Sequence, residues 1–303
     1  MRNRRSNVPK SAEKFTVFLS KEEMGLLDFV MKKLDGISRS KAKTILSSGG
    51  VMVDHKVQTR FDFNVLPDMV VEISKHPEHS RKLESQYFSV IYEDDDIIVV
   101  NKEAGVLSVG VGANSLNMKD LLDRYFVDTR QRCTAHVVHR LDCRTSGLMV
   151  YAKSVDVQQA MENNWQDIIL DRRYVAVVSG TMNRPSGHIE SWLKDTPRMV
   201  IISSRTDNGG KFASTDWKLL DSNDRYSLIE LKLHTGRKNQ IRVHMHDLHH
   251  PVVGDFKYGS VEDPLGRLGL HAFRLAFRHP VTGEPLKFET PFPQAFTFLM
   301  NKR

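Results

Sequence analysis

Apolar residues recur at helical spacing near the start of the chain and at strand spacing beyond it. Met24, Leu27, Val30, Met31 and Leu34 stand three or four positions apart, which predicts an amphipathic helix. Ser20 and Glu23 form a capping-box pattern just before it. Asp35-Gly36 predicts its end. Ser38 is placed to cap a second helix, Arg39–Ser47, which stops at Gly49-Gly50 and carries Ala42, Ile45 and Leu46 as its apolar stripe. Val51–Val53 and Val57–Thr59 predict short strands around the turn Asp54-His55-Lys56, and Met69–Ile73 predicts a third. Further on, Ile97–Val100 is a short apolar run of the kind that forms a buried strand. In Tyr226–Leu233, Ser227, Ile229, Leu231 and Leu233 alternate with Tyr226, Leu228, Glu230 and Lys232, which predicts a sheet strand.

These signals divide the 303 residues. Residues 1–13 read as a basic disordered tail, 14–75 as a small domain and 76–86 as a polar linker containing Pro77. Residues 87–303 read as a larger, strand-rich domain with ample length for its own core. Charge adds to this division. Residues 1–86 carry 16 Lys and Arg against 11 Asp and Glu, so +5 of the net +7 lies there. Arg2, Arg4, Arg5 and Lys10 open the chain with no acid among the first ten residues. Such a footprint suits a part that meets phosphates.

Other classes are excluded or weakened. No run of about 18 apolar residues occurs, so no membrane span is expected. The opening Met1–Ser6 has no apolar stretch behind it and does not read as a secretory signal. Cys133 and Cys143 have no metal-ligand spacing and read as reduced thiols of a cytoplasmic protein. Gly110-Val111-Gly112 lacks the third glycine and the Lys-Ser/Thr of a nucleotide loop. His244, His246, His249 and His250 have no recognised zinc spacing, so no metal is expected. Thr145-Ser146-Gly147 is not the elbow of a serine hydrolase.

The segment His139-Arg140-Leu141-Asp142, followed two residues later by Thr145-Ser146-Gly147-Leu148 and then Ala152-Lys153, resembles the signature of the RluA-type RNA pseudouridine synthases. Three more segments agree with that family in the same order: Arg173–Gly180 with its tyrosine, His234–His244 with its arginine, and Leu270–Ala272 followed by His279–Glu284. Gly254-Asp255 and Tyr258-Gly259 follow the arginine segment. Ser38–Ala42 and Ser48–Val53 resemble the RNA-binding module first described in a small-subunit ribosomal protein.

The architecture expected is α+β: a mixed, mainly antiparallel catalytic sheet with flanking helices, plus a small N-terminal α/β RNA-binding domain. The resemblance implies Asp142 as the catalytic carboxylate, Arg242 as the cation that keeps it ionised, and Tyr174 as the residue packed on the base. It implies Arg140 as a residue that helps hold the target nucleotide out of its stack, which the chemistry requires. Arg39, Lys41 and Lys43 are the candidate RNA-backbone contacts of the small domain. Isomerisation gains no atoms or electrons, so no cofactor is expected. Large-subunit ribosomal RNA is the implied partner, with transfer RNA left open and no protein partner implied. Departures from the family pattern are Glu103 after Lys102, Asn239 for its usual histidine, Arg144 for its frequent aspartate, and His249 for its glycine. The competing readings are a noncatalytic RNA-binding or assembly factor and, more remotely, a hydrolase using Ser146.

Overall fold

The computed structural model describes residues 15–47, 50–54, 56–58, 61–74, 86–110 and 115–301. The chain falls into two units, Met1–Leu83 and Glu84–Arg303. The expected basic tail, and all of the expected linker except Gln86, lie outside the described residues.

In the first unit the order is β1 (Phe15–Leu19), β2 (Met24–Gly25), α1 (Leu26–Lys33), α2 (Arg39–Ser47), β3 (Val51–Val53), β4 (Lys56–Val57), β5 (Asn64–Val65) and β6 (Val70–Ser74). Four strands form an antiparallel sheet in the order β1-β6-β3-β4. Helix α1 begins later than its pattern predicts. Met24-Gly25 pairs with Asn64-Val65, and this short ladder takes the backbone that a capped helix start would have used. Ser20 accordingly donates to the Glu22 carbonyl, and Gly25 is the N-cap without a side-chain bond. Leu26 and Phe29 complete the buried face with Leu27 and Val30. Helix α2 keeps its predicted bounds, with the Ser38 hydroxyl accepting from the Lys41 amide at 3.2 Å. Ala42, Ile45 and Leu46 bury against α1 and β3, forming one core with Val51, Val71 and Ile73. Strand β1 was not foreseen, because its outward Val17 and Leu19 are apolar too and blur the alternation.

The second unit begins with β7 (Phe88–Glu93), β8 (Ile97–Lys102), α3 (Met118–Asp128), β9 (His136–Val137) and β10 (Ser146–Ala152). It continues with α4 (Val155–Asn163), α5 (Trp165–Ile168), β11 (Ile169–Ser179), β12 (Ser186–Asp195), β13 (Ile201–Ser204), β14 (Lys211–Ser222) and β15 (Tyr226–Leu233). It ends with α6 (Gln240–Asp247), β16 (Leu270–Arg278), β17 (Pro285–Glu289) and α7 (Gln294–Met300). The strands form one sheet along the path β13-β12-β14-β15-β11-β16-β10-β8-β7. Among the described residues only β10 and β16 pair in parallel. Ile97 to Val100 are fully buried, and each such side chain contributes about 1.5–3 kcal/mol. Helix α4 buries Val157 and Met161 against β8 and β10, while α7 buries Phe296 and Leu299 against β11 and β15. Strand β15 lies inside the sheet, so Tyr226 and Leu228 are buried as well as Ile229 and Leu231.

The parallel contact fixes the start of β10. Gly147 has φ +122°, and a Cβ there would stand 2.3 Å from the Ala272 carbonyl oxygen and 2.5 Å from its nitrogen. Both atoms are backbone and cannot swing away, so only glycine lets β10 lie this close to β16. Gly147→Ala is expected to cost at least about 1–3 kcal/mol through overpacking. Guanidinium unfolding monitored by tryptophan fluorescence checks this, and an unchanged midpoint would show that the strands do not meet in this way.

Candidate active site

The loop from His139 to Thr145 joins β9 to β10 and is tied at successive points. The His139 Nε2 accepts from the Val150 amide at 3.1 Å, and its ring stacks on Trp165 at 5.0 Å. Burial, then the charge of Arg172, pushes His139 down to about 3, so it stays a neutral acceptor. The Ser108 hydroxyl accepts from the Leu141 amide at 3.0 Å and donates to the Leu141 carbonyl at 2.7 Å. Buried Lys102 donates to the carbonyls of Cys143, Glu103 and Val106, and burial lowers its pKa to about 8. The amides of Gly105 and Thr145 bond the carbonyls of Cys143 and Asp142. With its neighbours held, Asp142 has little freedom other than side-chain rotation.

Arg242, in the first turn of α6, meets Asp142 at 3.0 Å from Nη1 to Oδ2, across 100 positions of sequence. Its other edge is bidentate to Asp255: Nε to Oδ2 at 2.6 Å and Nη2 to Oδ1 at 2.8 Å. Asp255 is buried. Burial disfavours the Arg242 charge, but Asp255 and then Asp142 outweigh it and hold the guanidinium above its ordinary range. Tyr258 lies beneath it, with the guanidinium carbon 5.0 Å from the ring centroid. Asn239 sits in the left-handed region, φ 55°, which asparagine tolerates. There it accepts from Arg242 at 3.1 Å and donates to the Tyr258 hydroxyl at 2.9 Å. Arg144 ties the two loops together, donating to the Gly254 carbonyl at 2.8 Å and pairing with Asp263 at 3.0 Å.

Asp142 and Tyr174 line a cleft of about 980 Å³ together with Arg140, Arg172, Lys232, Arg237 and Lys238. Arg242 borders a smaller recess that shares Asp142, Tyr174 and Arg140 with the cleft. Four sequence candidates therefore meet in one place. Tyr174 is buried, and desolvation raises its pKa against the opposing pull of Arg172, with Asp142 raising it further. It is a neutral phenol near neutral pH. Arg140 is exposed at the mouth. Arg39, Lys41 and Lys43 are exposed on α2 of the first unit, where Arg39 pairs with Asp28 at 3.5 Å and Lys43 lies over Phe61.

Other candidates go elsewhere. Ser146 is buried, bonded to His271 at 2.7 Å and Arg267 at 2.6 Å, with His271 bonded onward to Thr290. His244 is buried between Ser191 and Thr215, and His250 bonds the Ser179 carbonyl. Among the described residues the histidine group that does converge is His188 and His234 on Asp216. Its members come from β12, β14 and the residue that follows β15, far apart in sequence, which spacing could not reveal. Asp255 and Tyr258 fall in the Gly254-Asp255 and Tyr258-Gly259 pairs after the arginine segment, but nothing in their local sequence marks them as the seat of Arg242.

Residues 96–247 match the family model described as RNA pseudouridylate synthase. The chain is 34% identical over 91% of its length to the ribosomal large subunit pseudouridine synthase D of Neisseria meningitidis serogroup B, covering 78% of that protein. It is 35% identical over 84% of its length to the protein of the same name from Vibrio cholerae, covering 84% of that one. Among solved structures, human RNA pseudouridylate synthase domain containing 1 superposes with a TM-score of 0.56 at 27% identity, over 70% of this chain and 86% of that one. A carboxylate, a guanidinium seated on a second carboxylate and a buried phenol around one cleft thus occur in a chain that belongs to the RNA pseudouridylate synthase family.

Proposed function

We propose that this enzyme isomerises specific uridines of large-subunit ribosomal RNA in the bacterial cytoplasm, with Asp142 as its catalytic carboxylate and no cofactor. The observation that carries the reading is the ion pair of Asp142 with Arg242 on the edge of a basic cleft. The choice of RNA rests on the names of the relatives in Neisseria and Vibrio. Among the described residues no helix is long and apolar enough to cross a membrane.

The reaction breaks the bond from N1 of uracil to the anomeric carbon and joins that carbon to C5 of the same base. C5 loses a proton and N1 gains one, so atoms and electrons balance without an external reagent. The target nucleotide must leave its stack to reach a side chain in a cleft. In this reading Arg140, exposed and without a partner among the described residues, helps hold the nucleotide out of its stack. Asp142 assists cleavage at the sugar, and Arg242 stabilises its charge as the base detaches and turns. Tyr174 packs on the base. As a neutral phenol it handles the C5 proton only by passing on its own.

The first unit supports RNA binding. Arg39, Lys41 and Lys43 project from a helix whose other side is in the core. In this reading it is a ribosomal-protein-like RNA-binding domain that contacts backbone phosphates without reading sequence.

Two outcomes follow. Asp142→Asn should lower tritium release from C5-labelled ribosomal RNA by about a hundredfold or more while still binding that RNA; equal release by both proteins would remove Asp142 from the chemistry. Asp255→Asn, which takes away the second carboxylate of Arg242, should lower kcat at least about tenfold with little change in KM. Steady-state kinetics separate the two constants, and a change in KM alone would mean that Asp255 does not position the reacting groups.

A further inference from the structure

Adjacent arginines on β11 have opposite surroundings. Arg173 is saturated with acid: Nε meets Asp171 at 2.8 Å and Nη1 meets Glu230 at 2.6 Å. Arg274 joins the same cluster through Asp171 and Glu289. Arg172 points to the other face of the strand, as Tyr174 does, and that face looks into the cleft. Among the described residues Arg172 has no ion pair and no hydrogen bond. Its Nε is buried with nothing to donate to.

A guanidinium nitrogen withdrawn from water without an acceptor is costly, and buried donors in native proteins are nearly always satisfied. The other arginines of the cleft are accounted for. Arg242 is held by Asp255 and Asp142, Arg237 donates to the Phe212 carbonyl at 2.9 Å, and Arg140 is exposed to water. The surroundings also make room for Arg172. A Cβ on Gly236 would stand 2.9 Å from its Nη1 and 3.2 Å from its Nη2, so the backbone of the loop after β15 lies against the fork. Tyr174 and His139, both near enough to feel its charge, are neutral and supply no counter-ion.

We propose that Arg172 is the phosphate-binding residue of the cleft: its fork takes the phosphodiester next to the uridine that enters. The uracil and its ribose are neutral, so the backbone phosphate is the one anion that a uridine substrate brings to this position. A planar fork matches its two free oxygens, and the bond is strengthened because the guanidinium is already partly dehydrated. Arg172 precedes Tyr174 by one strand repeat, so a phosphate fixed here sets where the attached base lies relative to Tyr174 and Asp142. This assignment rests on the uridine-isomerase reading and specifies how that substrate is seated.

The test is kcat/KM for tritium release from C5-labelled large-subunit ribosomal RNA, measured across a potassium chloride series. Arg172→Met should lower kcat/KM by about ten- to a hundredfold, the loss expected for one charged hydrogen-bonded contact. It should also flatten the dependence of log kcat/KM on log salt by about 0.7–0.9, one phosphate's worth. Arg172→Lys, which keeps the charge but not the fork, should keep the wild-type salt slope with a smaller loss. A purely structural arginine would lower the melting temperature without moving the slope. If the methionine variant does not fold, Arg172→Gln and Arg172→Lys make the same comparison. Wild-type kcat/KM and slope in the uncharged variant would overturn the assignment. If the wild-type protein itself releases no tritium, the isomerase reading fails instead, and the salt slope of RNA binding alone then decides whether Arg172 meets a phosphate.

Discussion

The structure around the cleft depends on one buried carboxylate. Asp255 takes both donors on one edge of Arg242 and leaves the remaining Nη1 directed at Asp142. A lone guanidinium at this depth would be expensive to dehydrate, and a lone carboxylate facing Asp142 would repel it. Together they give a charge-balanced seat that presents one positive edge. The Tyr258 ring beneath and Asn239 beside it restrict the guanidinium to this geometry. Asp142 is therefore met by a cation whose position is set largely by Asp255 and Tyr258, which do not line the cleft.

The carboxylate is held with equal care from the other side. Its loop is anchored by a neutral histidine, a serine that bonds both sides of one residue's backbone, and a buried lysine gathering three carbonyls. Gly147 then locks the following strand against β16. Arg144 closes the circuit to the loop that carries Asp255. This chain has arginine where the family often has aspartate, and the substitution supplies a cross-link between the two halves of the site. Catalysis that depends on charge placed in advance needs this kind of support, because small misplacements weaken electrostatic stabilisation steeply.

Much of this was readable in the chain before folding. The local signals that worked are those whose cause is local: the Ser38 cap and stripe of α2, and the apolar run of β8. The capping box at Ser20 failed because a two-residue ladder between Met24-Gly25 and Asn64-Val65 outcompeted it, a contact 40 residues away that no window can see. Strand β1 was missed because apolar side chains on its open face hide the alternation. Asp142, Tyr174, Arg140 and Arg242 were named through family resemblance, and the fold gathers them around one cleft and its adjoining recess. Asp255 and Arg172 escaped because their importance lies in what surrounds them. One is an acid sealed beneath an arginine, and the other is an arginine with no acid at all.

In the proposed reaction a carboxylate at position 142 isomerises uridine in ribosomal RNA. The most direct test is to map pseudouridines in the large-subunit RNA of cells lacking this gene, then of the same cells carrying the wild-type or the Asp142→Asn gene at equal protein level. The account predicts that specific pseudouridines vanish on deletion, return with the wild-type gene and stay absent with the variant. An unchanged map on deletion, or full restoration by the variant, would contradict it.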